Sequence, residues 1–165
     1  MSNPLQLRRF GRSMPMTLLR AREAVMKKFI PTLREHKLSP QQWRVIRVLV
    51  EVDQLDVTAL AEQCYLLMPS LSRIIQHLER RGLVKRARVA GDQRRFAISI
   101  TEQGRELFAA IAPVSEGRYQ YITERFGYGK LELLYELLEE LIEKLDEEAD
   151  SNACEASERV ARPDR

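Results

Sequence analysis

The sequence predicts a mostly α-helical fold in which two short helices joined by a tight turn lead into a β-hairpin, with longer helices on either side. Three observations predict it. Apolar residues recur at helical spacing along most of the chain. Capping residues, prolines and glycines cut that pattern into segments. Two short strand-like runs, Leu83 to Val89 and Phe96 to Ile100, flank Ala90-Gly91-Asp92-Gln93-Arg94-Arg95.

At 165 residues the chain has the length of one domain, which excludes large barrels and multidomain enzymes. Its 44% hydrophobic content is enough for a packed core. The formal net charge of +3 says little, but its distribution says more. Between Leu67 and Arg95, Arg73, Arg80, Arg81, Lys85, Arg86, Arg88, Arg94 and Arg95 face only Glu79 and Asp92. From Leu131 to Glu158 the sign reverses, with Lys144 the single base among eleven acids. Such segregation suits a protein that turns one face to a polyanion. Cys64 and Cys154 imply no disulfide framework and fit a reducing, cytoplasmic compartment. No stretch resembles a signal peptide or reaches the roughly 20 apolar residues of a bilayer span, so no membrane partner is expected.

Residues 1 to 12, with Arg8, Arg9 and Arg12, read as a mobile basic arm. From about Thr17, Leu18, Leu19, Arg22, Val25, Met26, Phe29 and Ile30 mark one side of a helix reaching about Arg34, with a kink expected at Pro31. Ser39-Pro40-Gln41-Gln42 is a capping box with proline at the first helical position, and opens a helix carrying Trp43, Val45, Ile46, Leu49 and Val50 to near Asp53. Asp56 caps a short helix to about Cys64. Pro69 opens the next, which runs to Arg81 and stops at Gly82, the residue type suited to a left-handed cap.

This pair has the spacing of a helix-turn-helix. In its second helix Leu71, Ile74, Ile75 and Leu78 face a core, leaving Ser70, Ser72, Arg73, Gln76, His77 and Arg80 to meet base edges or phosphates. An ordinary solvated face would mix charges, yet this one has no carboxylate before Glu79. In the hairpin tip Asp92 is spaced to brace the Arg94 guanidinium, and the tip can enter a narrow, electronegative groove. Thr101-Glu102-Gln103-Gly104 starts a helix carrying Leu107 through Phe126, expected to bend or break at Pro113 and Gly117. From Lys130 to Glu147, Leu131, Leu134, Leu137, Leu138, Leu141, Ile142 and Leu145 form a stripe that must be buried, against a second subunit or inside the monomer. Residues 151 to 165 lack periodicity and read as a disordered tail.

This order of elements resembles the MarR family, dimeric winged helix-turn-helix transcriptional regulators. The residues that carry the resemblance are Leu60-Ala61, Ser72-Arg73, Leu78-Glu79-Arg80-Arg81-Gly82-Leu83-Val84, Asp92-Gln93-Arg94 and Thr101-Glu102-Gln103-Gly104. A narrower likeness runs through Leu19-Arg20-Ala21-Arg22-Glu23-Ala24, Leu38 to Arg47 and Pro69-Ser70-Leu71, and is similar to the branch that controls homoprotocatechuate or 4-hydroxyphenylacetate degradation. Met68 departs from the pattern where a capping Ser or Asp is expected before Pro69. The resemblance implies a winged helix-turn-helix domain over 17–150, its DNA-binding lobe about 38–101, between dimerisation helices about 17–36 and 102–148. An arm over 1–16 and the tail over 151–165 complete the chain.

The resemblance also implies a homodimer on double-stranded DNA, with Pro69, Ser70, Ser72, Arg73, Gln76 and His77 in the major groove. Lys85, Arg86 and Arg88 would meet phosphate, and Arg94, beside Arg95 and braced by Asp92, the minor groove. It implies a repressor of an aromatic-acid catabolic operon, released from a pseudo-palindromic operator by a small aromatic carboxylate. The crevice for that effector would be bordered by Arg20, Arg22, Met26, Phe29, His36, Trp43 and Arg47. Arg22 could grip the carboxylate with its guanidinium fork or pair with a helical glutamate. Trp43 could stack on the ring or pack in the core. No catalytic residues, cofactor or metal site are expected: two His and two Cys are too scattered for zinc, and no phosphate-cradling loop or nucleophile elbow occurs. Two rival readings are a helical protein-interaction module without sequence-specific DNA binding, and an oxidant sensor at Cys64, against which stands a buried structural thiol.

Overall fold

Capping residues set the boundaries of the helices. The computed structural model describes residues 10–89 and 92–160, with backbone alone for 12, 89, 92–95 and 147–160. The chain forms two compact units, 1–118 and 119–165. After a 3₁₀ turn at Phe10–Arg12, α1 (Met14–Glu35) starts at Met14 behind the N-cap Ser13, three residues before the expected Thr17. Pro15 in the first turn has its φ preset for a helix, so the arm expected over 1–16 gives up residues 10–16 to ordered backbone. Residues 1–9 lie outside the described ones. α1 continues as helix through Pro31 to Glu35.

The predicted capping box opens α2 (Pro40–Val52): Gln42 N–H donates to Ser39 Oγ at 3.2 Å, and Ser39 N–H to Gln42 Oε1 at 2.9 Å. Asp53 turns the chain out of α2 at φ +64° into a strand that the sequence reading missed, β1 (Gln54–Asp56). Asp56 Oδ1 then accepts the Thr58 and Ala59 N–H groups at 3.0 Å each, capping α3 (Val57–Gln63). α4 (Met68–Arg80) begins one residue earlier than expected. Its N-cap is Leu67, which has no side-chain acceptor, so Met68 is not the missing cap but the first helical residue. Gly82 closes the turn at φ +70°.

β2 (Val84–Val89) and β3 (Asp92–Ile100) form the hairpin, and β1 pairs with the far edge of β3. The wing is therefore the outer part of a three-stranded antiparallel sheet rather than a lone two-stranded ribbon, which would be marginal in water. β3 also starts earlier than read: Val89 pairs with Asp92 while Arg88 pairs with Phe96, so residues 93–95 form a bulge. α5 (Glu102–Phe126) stays helical through both Pro113 and Gly117, where a bend or break was expected, so its helix is not broken there.

The core of the first unit is where these elements meet. Leu49, Leu60, Leu71, Ile75, Leu78, Ile98 and Ile111 are fully buried, each contributing about 1.5–3 kcal/mol by removal from water. Gly104, in the first turn of α5, is packed against Leu83 and Ile100: an added Cβ would fall 2.2 Å from the Leu83 carbonyl oxygen and 2.6 Å from Ile100 Cδ1. Cys64 is buried at the end of α3, and that burial raises its thiol pKa, opposed in part by the Arg44 charge. The structural-thiol alternative is the one this placement favours.

In the second unit, Gly127 at φ +96° separates the end of α5 from α6 (Tyr128–Val160). The predicted apolar stripe is present but uncovered. Leu134, Leu137, Ile142 and Leu145 are exposed, and Leu131, Leu138 and Leu141 half-buried. In the first unit Leu18, Leu19 and Val25 of α1 are exposed too. The disordered tail is corrected for residues 151–160, which continue α6. Ala153, Glu155, Ala156 and Glu158 are good helix formers, and extending a helix costs far less than nucleating one. Residues 161–165 lie outside the described ones. Among the described residues no helix is long and apolar enough to cross a membrane.

Gly104→Ala should destabilise the protein by about 1–3 kcal/mol, because overpacking outweighs the roughly 1 kcal/mol that alanine gains in helix propensity; a urea midpoint at or above wild type would contradict the close approach. In a Cys154→Ser background, Cys64 should react with a thiol-specific disulfide reagent at pH 8 only as fast as the protein opens. Reaction at the rate of a free thiol would place Cys64 at the surface.

Candidate nucleic-acid interface

Burial on one side of α4 decides what its other side presents. Leu71, Ile75 and Leu78 are fully buried and Ile74 is half-buried, as the spacing requires. Pro69, Ser70, Arg73, Gln76 and Arg80 are exposed, and Ser72 and His77 are half-buried. Arg80 Nε also donates to the Gln76 carbonyl at 3.3 Å, which lays its stem along the helix. The only acid on α4 is Glu79, so its first three turns offer hydroxyl, guanidinium, amide and imidazole groups without a competing carboxylate.

Two arginines fix both ends of this helix. Arg44 of α2 donates Nη1 to the Cys64 carbonyl at 2.5 Å, holding the turn that leads into α4. Arg81, just past α4, donates Nη1 to the Lys37 carbonyl at 2.8 Å and Nη2 to the His36 carbonyl at 3.1 Å, in the turn after α1. Charge-assisted bonds of this kind contribute about 1.5–3 kcal/mol each when shielded from water. Thr101 Oγ1 donates to the Gly82 carbonyl at 2.6 Å and accepts from Gly104 N–H at 3.1 Å, joining the end of the helix-turn-helix to α5. Arg105 pairs with Asp53 across the start of β1. Of these, only the Thr101 cap was legible as a local signal; Arg44 and Arg81 bond carbonyls 20 or more positions away.

The hairpin register sorts the basic residues that the sequence grouped together. Directly paired residues share a sheet face, so Val84 with Ile100, Arg86 with Ile98 and Arg88 with Phe96 lie on one side, and Lys85 with Ser99 on the other. Val84, Ile98 and Ile100 belong to the core beneath α4, so Arg86 and Arg88 continue the core face outward, while Lys85 points away from it. Both arginines lie over the Phe96 ring, at 5.3 and 6.0 Å from its centre, a cation–π arrangement. In the sequence Phe96 has only the pattern of a strand residue, and the alternation of Arg86 and Arg88 in the facing run is the signal for its cation–π role. The side chains of Asp92, Arg94 and Arg95, including the proposed brace, lie outside the described ones.

The seven residues named for an effector crevice are already engaged in part. Arg22 Nη1 pairs with Glu23 Oε1 at 2.6 Å, and Arg47 Nη2 with Glu51 Oε1 at 3.9 Å, all at half-exposed or exposed positions. Trp43 is buried and stacks on Phe108 with centroids 5.4 Å apart and planes 17° from parallel, so its ring is core. Phe29 is buried, Met26 and His36 half-buried, and Arg20 exposed. The cavities beside α3 and α4 and beneath Arg81 are lined by other residues. Among the described residues no group of three or more His, Cys, Asp or Glu is placed to hold a metal ion.

Comparison with known proteins agrees with this architecture. Residues 36–95 match the model of the MarR family. The HTH-type transcriptional regulator FarR of Neisseria gonorrhoeae is 41% identical over 122 residues, 74% of this chain and 84% of FarR. The homoprotocatechuate degradative operon repressor of Escherichia coli is 40% identical over 122 residues, 74% of this chain and 82% of the repressor. Among solved structures, NadR crystallised with 4-hydroxyphenylacetate superposes with a TM-score of 0.71 at 40% identity, covering 82% of this chain and 96% of NadR. These relatives are regulators of transcription, not enzymes. With the helix-turn-helix, the winged sheet and the basic outward face in place, the chain belongs to the MarR family of DNA-binding transcriptional regulators.

Proposed function

We propose that this regulator is a homodimeric repressor of an aromatic-acid catabolic operon, held on a pseudo-palindromic operator and released by a small aromatic carboxylate. The observation that carries the DNA-binding half of the reading is the outward face of α4. Arg73, Gln76 and Arg80 are exposed on a helix whose opposite face is locked in the core, with Arg86 and Arg88 beside it. Ser70, Arg73, Gln76 and His77 would reach base edges from the major groove, and the sequence offers Arg94 and Arg95 in the wing for the flanking minor groove.

The exposed Leu134, Leu137, Ile142 and Leu145 of α6 and the exposed Leu18, Leu19 and Val25 of α1, which a second copy would bury, support the dimer. The names of two relatives support the effector class: one represses a homoprotocatechuate operon, and another was crystallised with 4-hydroxyphenylacetate. In this chain the carboxylate would meet an arginine of α1 or α2, with Arg22 released from Glu23 to form the fork. Only a ligand that binds the DNA-incompetent state more tightly can act as inducer.

Gel-shift affinity for a duplex selected from a random pool should fall steeply with salt, as released counterions require, and Arg94→Ala should weaken it at least about tenfold. A log-log slope near zero, or an unchanged affinity for the variant, would contradict the basic face and the wing respectively. Phenylacetic and hydroxyphenylacetic acids titrated into the complex should release the DNA. Failure of every simple aromatic carboxylate to do so would overturn the effector assignment while leaving the DNA reading intact.

A further inference from the structure

A cavity of 310 Å³ opens between α4 and the hairpin, lined by Asp56, Val57, Thr58, Met68, Ser72, Arg86 and Phe96. We propose that it holds a single phosphodiester of the DNA backbone, clamped by Arg86, Ser72 and Thr58, and that Ser72 is a backbone contact rather than a base reader. This rests on the DNA-binding reading above and assigns one site within it.

The placement follows from the shape of the double helix. A backbone strand separates the major groove from the adjacent minor groove. A protein with α4 in the first and the wing tip in the second therefore has that strand running between α4 and the sheet, where this cavity lies. Ser72 precedes Arg73 by one residue, about 100° around the helix, so it is turned sideways from the outward face. Its half-buried position and its place in the cavity wall agree with that turn.

The donors suit a phosphate. Arg86 stands on the core-facing side of β2 with its guanidinium carbon 5.3 Å from the Phe96 ring centre. An arginine held over a ring by its cation–π contact still has guanidinium N–H groups to offer an anion. Two hydroxyl-bearing residues, Ser72 of α4 and Thr58 of α3, line the cavity. Asp56 is its one acid, tied by Oδ1 to the Thr58 and Ala59 N–H groups. One guanidinium beside one carboxylate gives too little net positive charge to hold a free phosphate dianion. A monoanionic diester, delivered by a duplex that α4 and the wing already grip, asks for less. Lys85, on the opposite sheet face, belongs to a different contact.

A methylphosphonate scan of the selected duplex, one neutralised phosphate at a time, tests this. Wild type should lose about tenfold in affinity at one phosphate in each half-site, whereas Arg86→Met and Ser72→Ala should lose less than about threefold at that same phosphate. Lys85→Met should keep the full wild-type loss there. Ser72→Ala should also bind every sequence more weakly by a common factor and select an unchanged consensus, while Arg73→Ala changes it. Melting midpoints by circular dichroism separate these effects from misfolding, and Thr58→Val serves as the alternative if Ser72→Ala is unstable. The proposal is overturned if no phosphate loses its effect in the variants, or if Ser72→Ala selects a new consensus. It is also overturned if the scan is silent while inorganic phosphate binds the free chain by ³¹P shift. A wild type that binds no duplex refutes the DNA reading itself, and this site with it.

Discussion

The structure depends on the burial of Leu71, Ile75 and Leu78 along one side of α4. These side chains are in contact with the rest of the core, and their positions set the rotation of the helix about its axis. Turning α4 by a single residue would bring Ser72 and Gln76 toward that core in place of Leu71 and Ile75, and a polar group buried there without a partner costs roughly 1–3 kcal/mol. The apolar pattern thus does two things at once. It stabilises the fold, and it dictates which polar groups stand outside. What the helix presents to a duplex is fixed by what it hides.

Rotation alone does not place a helix; its ends must also be held. Arg44 and Arg81 do this by donating to backbone carbonyls of the turns before α4 and after α1, and the sheet is held by the Asp53–Arg105 pair and the Thr101 cap. Because the Arg81 bonds end on His36 and Lys37, a shift of the end of α1 strains them directly. The helix bearing the candidate effector residues and the helix that faces DNA are therefore mechanically joined within one unit. Under the proposed regulation, an effector that favoured a different position of α1 would be felt at α4.

Much of this was legible in the sequence wherever the determining interaction is local. The capping box at Ser39, the Asp56 cap, the Gly82 turn and the split of α4 into apolar and polar faces all depend on residues a few positions apart, and each is present in the structure. What was not legible depends on distant partners. β1 is three residues long and exists because β3 has an edge for it. Lys85 and Arg86 look equivalent in a basic run, and only the pairing with Ser99 and Ile98 sends them to opposite faces. Trp43 offers a flat ring to any partner, and it took Phe108, 65 positions away, to claim it. The helical continuation past residue 150 has no apolar stripe to announce it, and only the helix propensity of its Ala and Glu residues marks it.

Two copies of the chain, as proposed, would hold their α4 helices at a separation matched to B-form DNA, and a hydroxyl-radical footprint of the purified chain on its selected duplex reads that separation. Two symmetric protected half-sites are expected, with centres about 10 base pairs, one helical turn, or a whole multiple of that apart, each flanked by minor-groove protection. A single asymmetric footprint, or two at a spacing out of phase with the helical repeat, would contradict it.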